Sequence, residues 1–96
     1  MKKIQNNKEL FRPIISKYKH LLIQLPEKDR TILEMRYGFI DGIERTQKYI
    51  GEIYGVGPHR IRQLEARGHH RILKLIGNLE ENELPEDTLT YVRYIR

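Results

Sequence analysis

Ninety-six residues leave room for one domain with one modest core, and 39% hydrophobic against 32% charged residues describes a charged globular chain. There is no cysteine, which excludes a disulfide framework and a thiolate metal site. No apolar run approaches the roughly 20 residues of a membrane span, and the basic start Met1-Lys2-Lys3 leads into no apolar stretch, so neither a membrane segment nor a secretory signal is expected and the location is read as cytoplasmic.

In chain order, residues 1–11 are polar and basic and read as frayed. Pro13 is expected in the first turn of a helix running to about Leu25, with Ile14, Ile15, Tyr18, Leu21, Leu22 and Leu25 at helical spacing. Leu25-Pro26-Glu27 marks a break and a restart. Glu27 and Asp29 sit well beside the dipole of a second helix, which Gly38 should end. Phe39 to Arg45 has no period and reads as a loop. Thr46 is a suitable N-cap for a short third helix from Gln47 to Tyr54, closed by Gly55. After the turn Gly55-Val56-Gly57, Pro58 should open a fourth helix that runs to about Ile76 and stops at Gly77. An acidic linker follows, and residues 85–95 suit one last helix. This predicts an all-α fold of four or five helices, divided into a basic N-terminal segment (1–24), a helix-turn-helix domain (25–77) and an acidic C-terminal part (78–96).

The net charge of +5 is unevenly spread. Residues 46–76 carry six Lys/Arg against two acids, whereas residues 77–96 carry five acids against two arginines. One surface of the chain therefore suits a polyanion. The stretch Gln47 to Ala66 meets the local demands of a helix-turn-helix. Gly51 is small where the two backbones cross, Gly55 tolerates a positive φ, and Ile50, Tyr54, Val56, Ile61 and Leu64 fill the inward positions. The outward face of the second helix is then His59, Arg60, Arg62, Gln63, Arg67 and Arg71. Such a helix fits the major groove with its N-terminal residues nearest the base edges. Gln63 suits adenine, Arg62 suits guanine or a phosphate, and Arg67 and Arg71 are placed for phosphates.

Two runs carry a family resemblance. The first is Leu25-Pro26-Glu27-Lys28-Asp29-Arg30-Thr31-Ile32-Leu33-Glu34-Met35-Arg36-Tyr37-Gly38, and the second is Arg60-Ile61-Arg62-Gln63-Leu64-Glu65-Ala66-Arg67. Both resemble region 4 of bacterial RNA polymerase sigma factors, and Thr46 and Gly51 match as well. The resemblance implies a domain that reads the −35 promoter element in double-stranded DNA and docks on the β flap of core RNA polymerase. It implies DNA contacts at Arg62, Gln63 and Arg67, with Thr46, Arg60 and Arg36 near the backbone; Lys48 joins the DNA-contacting set. It places the polymerase-docking surface around Leu33, Tyr37 and Phe39. It also places His70 and Arg71 where the family meets activators, and a second sigma subunit is a further partner it allows.

This chain departs from the pattern at Pro58 and His59, where primary sigma factors place arginine and glutamate as base readers. Proline cannot donate to a guanine, so the usual −35 preference does not carry over. The 24 residues before the domain are too few for the region that melts the −10 element, which leaves a stand-alone protein, a subunit of a split sigma factor or a fragment. The other functional reading is an interaction module that occupies the polymerase flap and regulates another sigma factor without reading DNA specifically. No enzyme is expected, because the glycines fall at a helix crossing and a turn and not in a phosphate loop, and no nucleophile–histidine spacing stands out. No cofactor is expected. The pair His69-His70 points about 100° apart on a helix and cannot easily share a metal, so both are read as solvent- or phosphate-facing.

Overall fold

Pro13 lies inside the first helix and not at its start. The computed structural model describes residues 7–78, in which α1 runs from Asn7 to Lys17, a 3-10 helix from Lys19 to Gln24, α2 from Glu27 to Tyr37, α3 from Gln47 to Tyr54 and α4 from Pro58 to Gly77. Among the described residues there is no strand, and no helix is long and apolar enough to cross a membrane. Residues 7–11, expected to be frayed, form the start of α1 because they are held by burial. Phe11, Ile14 and Ile15 enter the core, and Lys8 is itself buried, its ammonium bonded to Glu44. Pro13 removes one backbone donor from α1, a cost that this apolar packing offsets.

The single helix expected up to Leu25 is two elements. Tyr18 and Leu25 flank the 3-10 helix and Leu22 lies within it; all three are buried, and the Leu25 N–H donates to the Leu22 carbonyl, three residues back, at 3.0 Å. Leu25 is then extended, with ψ of 157°, as a residue before proline must be. The other boundaries lie where expected. Gly38 and Gly55 end α2 and α3 in the left-handed region, with φ of 72° and 73°. The helix expected over residues 85–95 lies outside the described residues.

Two apolar clusters hold the helices together. The larger joins α1, the 3-10 helix, α2 and the second half of α4, through residues such as Ile15, Leu22, Leu33, Tyr37, Ile72 and Ile76. The smaller is Ile32, Ile50, Ile61 and Leu64, with Met35 and Tyr54 against it, and it joins α2, α3 and the first half of α4. On α4 the buried positions are Ile61, Leu64, Glu65, Gly68, His69, Ile72, Leu73 and Ile76, the three- and four-residue steps of one helix face. His69 falls on that face. It is buried and not solvent- or phosphate-facing, and only His70 points outward. Val56, an inward position by sequence pattern, is instead 39% exposed. It is the turn's carbonyl, and not its side chain, that packs inward.

Candidate nucleic-acid interface

The α3–turn–α4 unit is built from local signals. The Thr46 Oγ1 accepts the Tyr49 N–H at 3.0 Å and so satisfies one of the free donors at the start of α3. At the far end, the Val56 N–H donates to the Gly51 carbonyl at 2.8 Å, and the Gly55 N–H uses the same acceptor. This folds the turn back over Gly51, where a Cβ would lie 2.5 Å from the Val56 carbonyl oxygen and 3.3 Å from Gly57. The crowding atoms belong to the turn backbone and cannot rotate away. Gly51→Ala is therefore expected to destabilise the domain by about 1–3 kcal/mol, read from its thermal or denaturant midpoint. A wild-type midpoint would show that the turn does not close on this residue.

Gly57 is extended, with φ of −77° and ψ of 164°, and Pro58 opens α4 at the position where a missing N–H costs nothing. Ile61 and Leu64 then pack on Ile50, with Ile32 of α2 beneath. A polar network locks the crossing. Glu65, 5% exposed, accepts from the Arg36 Nε at 2.7 Å and from the Gln47 Nε2 at 3.0 Å, and the Arg36 Nη1 donates to the Arg45 carbonyl at 2.9 Å. One carboxylate thus ties α4 to α2 and to the first residue of α3, and Arg36 carries the tie on to the loop between them.

What this scaffold presents is the first two turns of α4. His59, Arg60, Arg62 and Gln63 are all exposed there, and the first turn holds no acid. The Arg60 Nη1 lies 3.3 Å from the Gln63 Oε1, so these two side chains already share a face. Thr46 and Lys48 are exposed at the start of α3. Farther along α4, Arg67 and Arg71 are engaged. Asp29 of α2 is fully buried, and its carboxylate accepts from the Arg67 Nη2 at 2.6 Å and from the Arg71 Nη1. Both arginine side chains remain about two-fifths exposed, at 43% and 40%, so each keeps donors toward solvent.

The profile of Sigma-70, region 4 matches residues 21–74, more than half of the chain. The chain belongs to this family. Region 4 in this chain is similar to the chloroplastic RNA polymerase sigma factor sigF of Arabidopsis thaliana, with 43% identity over 54 residues, 56% of this chain and 10% of that protein. It is 37% identical over 68 residues to RNA polymerase sigma factor SigA of Nostoc sp., covering 71% of this chain and 17% of that protein. It is 42% identical over 55 residues to the principal sigma factor HrdD of Streptomyces griseus, covering 57% and 16%. The chain therefore spans 10 to 17% of the length of these three relatives.

Three residues expected on functional surfaces of the region 4 domain are placed inside it. Arg36, expected near the DNA backbone, is turned inward with its side chain 13% exposed, because Glu65 and the Arg45 carbonyl bind its guanidinium. Leu33 and Tyr37, expected to line a polymerase-docking groove, are core residues, Leu33 lying against Gly68 of α4 and Tyr37 between α1 and His69. The Tyr37 hydroxyl donates to the Lys8 carbonyl at 3.0 Å and stands 2.8 Å from the His69 Nε2. Phe39 is partly buried, stacked on Tyr37 at 5.5 Å, with the Lys19 ammonium 5.4 Å from its ring centre. Sequence reasoning missed Asp29 and Glu65 as the acids that position this domain's arginines. The one signal for Glu65 is its place on the apolar row of α4, between Leu64 and Gly68.

Proposed function

We propose that this region 4 domain binds double-stranded DNA by laying the first turns of α4 in the major groove, and that it reads a −35-type promoter element whose preferred sequence differs from the usual one. The observation that carries this reading is the exposed, acid-free tip of α4 set on a rigid helix-turn-helix. In this arrangement His59, Arg62 and Gln63 are the base-facing residues, three to four positions apart on one helix face. Arg60, Thr46 and Lys48 meet the sugar–phosphate backbone. Arg67 and Arg71 present their remaining donors to phosphates, pre-oriented by Asp29. Core RNA polymerase is the protein partner that family membership supports. With Leu33 and Tyr37 enclosed, the contact with its β flap is assigned to surface around Phe39 and not to an open groove over those two residues.

The test is a selection of preferred sites from a random DNA library by wild type and by Gln63→Ala. The substitution should relax discrimination at one base position by ~1–3 kcal/mol and leave affinity for non-specific DNA unchanged. Identical preferences in both proteins would sink direct reading through α4 and leave the interaction-module reading in its place.

A further inference from the structure

We infer that Arg67 and Arg71 form one site for a single phosphodiester of the DNA backbone, with Asp29 behind them holding the two guanidiniums together. The inference rests on the DNA-binding reading above and narrows it, from two arginines that each meet a phosphate to a pair that shares one.

The site is built by a close approach of two helices. Gly68 lies between the two arginines on α4, and a Cβ there would stand 3.1 Å from the Leu33 Cδ1 and 3.7 Å from the Asp29 carbonyl oxygen. Its bare backbone lets α2 come in against α4 at this level, and the fully buried Asp29, in the first turn of α2, meets Arg67 and Arg71 there. Two arginines four positions apart on one helix repel each other and would ordinarily spread. Here one carboxylate gathers them. Its Oδ1 accepts from the Arg67 Nε at 3.2 Å and Nη2 at 2.6 Å, and its Oδ2 accepts from the Arg71 Nη1. Each guanidinium is thus oriented by its own oxygen of a single acid, and the donors that Asp29 does not take belong to side chains that reach solvent. A phosphodiester offers two non-bridging oxygens at nearly the spacing of a carboxylate's two, so a pair of forks set by the one suits the other. The charge fits as well. Two guanidiniums and one carboxylate leave one net positive charge, which one phosphodiester cancels. A second phosphate would add uncompensated negative charge next to a buried anion. α4 carries no acid from Ala66 to Gly77 to oppose a phosphate, and His70 and Lys74 are both exposed on it.

The test titrates full-length protein with a non-specific duplex oligonucleotide over a series of salt concentrations, so that DNA binding is required but base reading is not. The variants are Arg67→Gln, Arg71→Gln and the two together; each glutamine keeps an amide N–H for Asp29, and circular dichroism follows the fold. Each single substitution should lower the slope of log affinity against log salt by about 0.9, the value of one phosphate, and the double variant should lower it by the same amount. A fall of about 1.8 in the double variant would overturn the proposal, because each arginine would then hold a phosphate of its own. Unchanged slopes would overturn it too, and would assign the pair to an acidic protein surface. If a glutamine variant fails to fold, Arg67→Lys and Arg71→Lys keep the charge, lose the planar fork and give the same decision from affinity at one salt concentration. The double lysine variant should then bind as well as the weaker single one, and losses that multiply would rule out a shared phosphate. Failure of the DNA-binding reading shows separately, as wild-type protein that leaves the duplex unbound at low salt, and it would take this site with it.

Discussion

Glu65→Ala should cost the domain about 3–5 kcal/mol, the expected penalty for stripping one partner from a buried ion pair. Glu65 and Arg36 are both largely enclosed, with side-chain exposures of 6% and 13%. Without the carboxylate, the Arg36 guanidinium keeps, among the described residues, the Arg45 carbonyl alone, and the Gln47 amide loses its acceptor. A domain of this size loses roughly 4–8 °C of melting temperature per kcal/mol, so the midpoint should fall by more than about 10 °C. Glu65→Gln keeps an oxygen acceptor for both donors while removing the charge, and should fall between wild type and Glu65→Ala. The measurement is reversible denaturation of the three proteins. A loss under about 1 kcal/mol for Glu65→Ala would show that the network contributes nothing beyond the packing of Ile61 and Leu64.

Acid should weaken the fold over a window set by His69. Burial, with the nearby Arg36 charge adding to it and Glu65 opposing it, pushes its imidazole down from 6.5 to about 4. The hydrogen bonds explain why. Tyr37 gives its one hydroxyl proton to the Lys8 carbonyl, so the Nε2 of a neutral ring donates to the Tyr37 oxygen. The Nδ1 is buried with no partner among the described residues, and a second proton there would have no acceptor. Below pH 6.5 the unfolded chain takes up a proton that the folded chain refuses until about pH 4. Stability should therefore be level above pH 6.5, fall between 6.5 and 4, and be lower by about 3 kcal/mol at the bottom, at ~1.4 kcal/mol per pH unit. Glu9, held down chiefly by Arg12, and Glu44, held down chiefly by Lys8, add their own losses only as pH drops below their ordinary value of 4.5. The two windows separate on a plot of denaturation midpoint against pH. His69→Gln should flatten the upper one, and an unchanged slope between pH 6.5 and 4.5 in that variant would remove His69 from the account.

The parts of this fold legible in the sequence are those whose causes are local. The Thr46 cap, the left-handed Gly55, the Pro58 start and the apolar steps along α4 each depend on residues within a turn or two, so the residues alone place α3 and α4. The misplaced residues depend on distant partners. Lys8 reads as a polar residue of a frayed end, yet Glu44, 36 positions away, draws its ammonium across and lets its stem be buried. Asp29 looks like an ordinary first-turn acid, but Arg67 and Arg71, 38 and 42 positions on, make it the centre of a buried cluster. Arg36 cannot be told from a surface arginine without knowing that Glu65 faces it. Leu33 and Tyr37 are plainly apolar in the sequence, but their covers lie far along the chain: Gly68 of α4 sits against Leu33, and Tyr37 meets His69 of α4 and Lys8 of α1, a helix outside the segment that matches the family.

α4 is one uninterrupted helix of 20 residues, roughly 30 Å long, and it takes part in both apolar clusters. Its reading tip is embedded in the small cluster and its far half in the large one. The residues at the tip, His59 and Arg62, thus stand on the same unbroken helix as Ile72 and Ile76, which share the large cluster with α1. Mechanically the domain is a lever with its fulcrum near Glu65 and Gly68, where α4 leans on Arg36, Leu33 and Asp29.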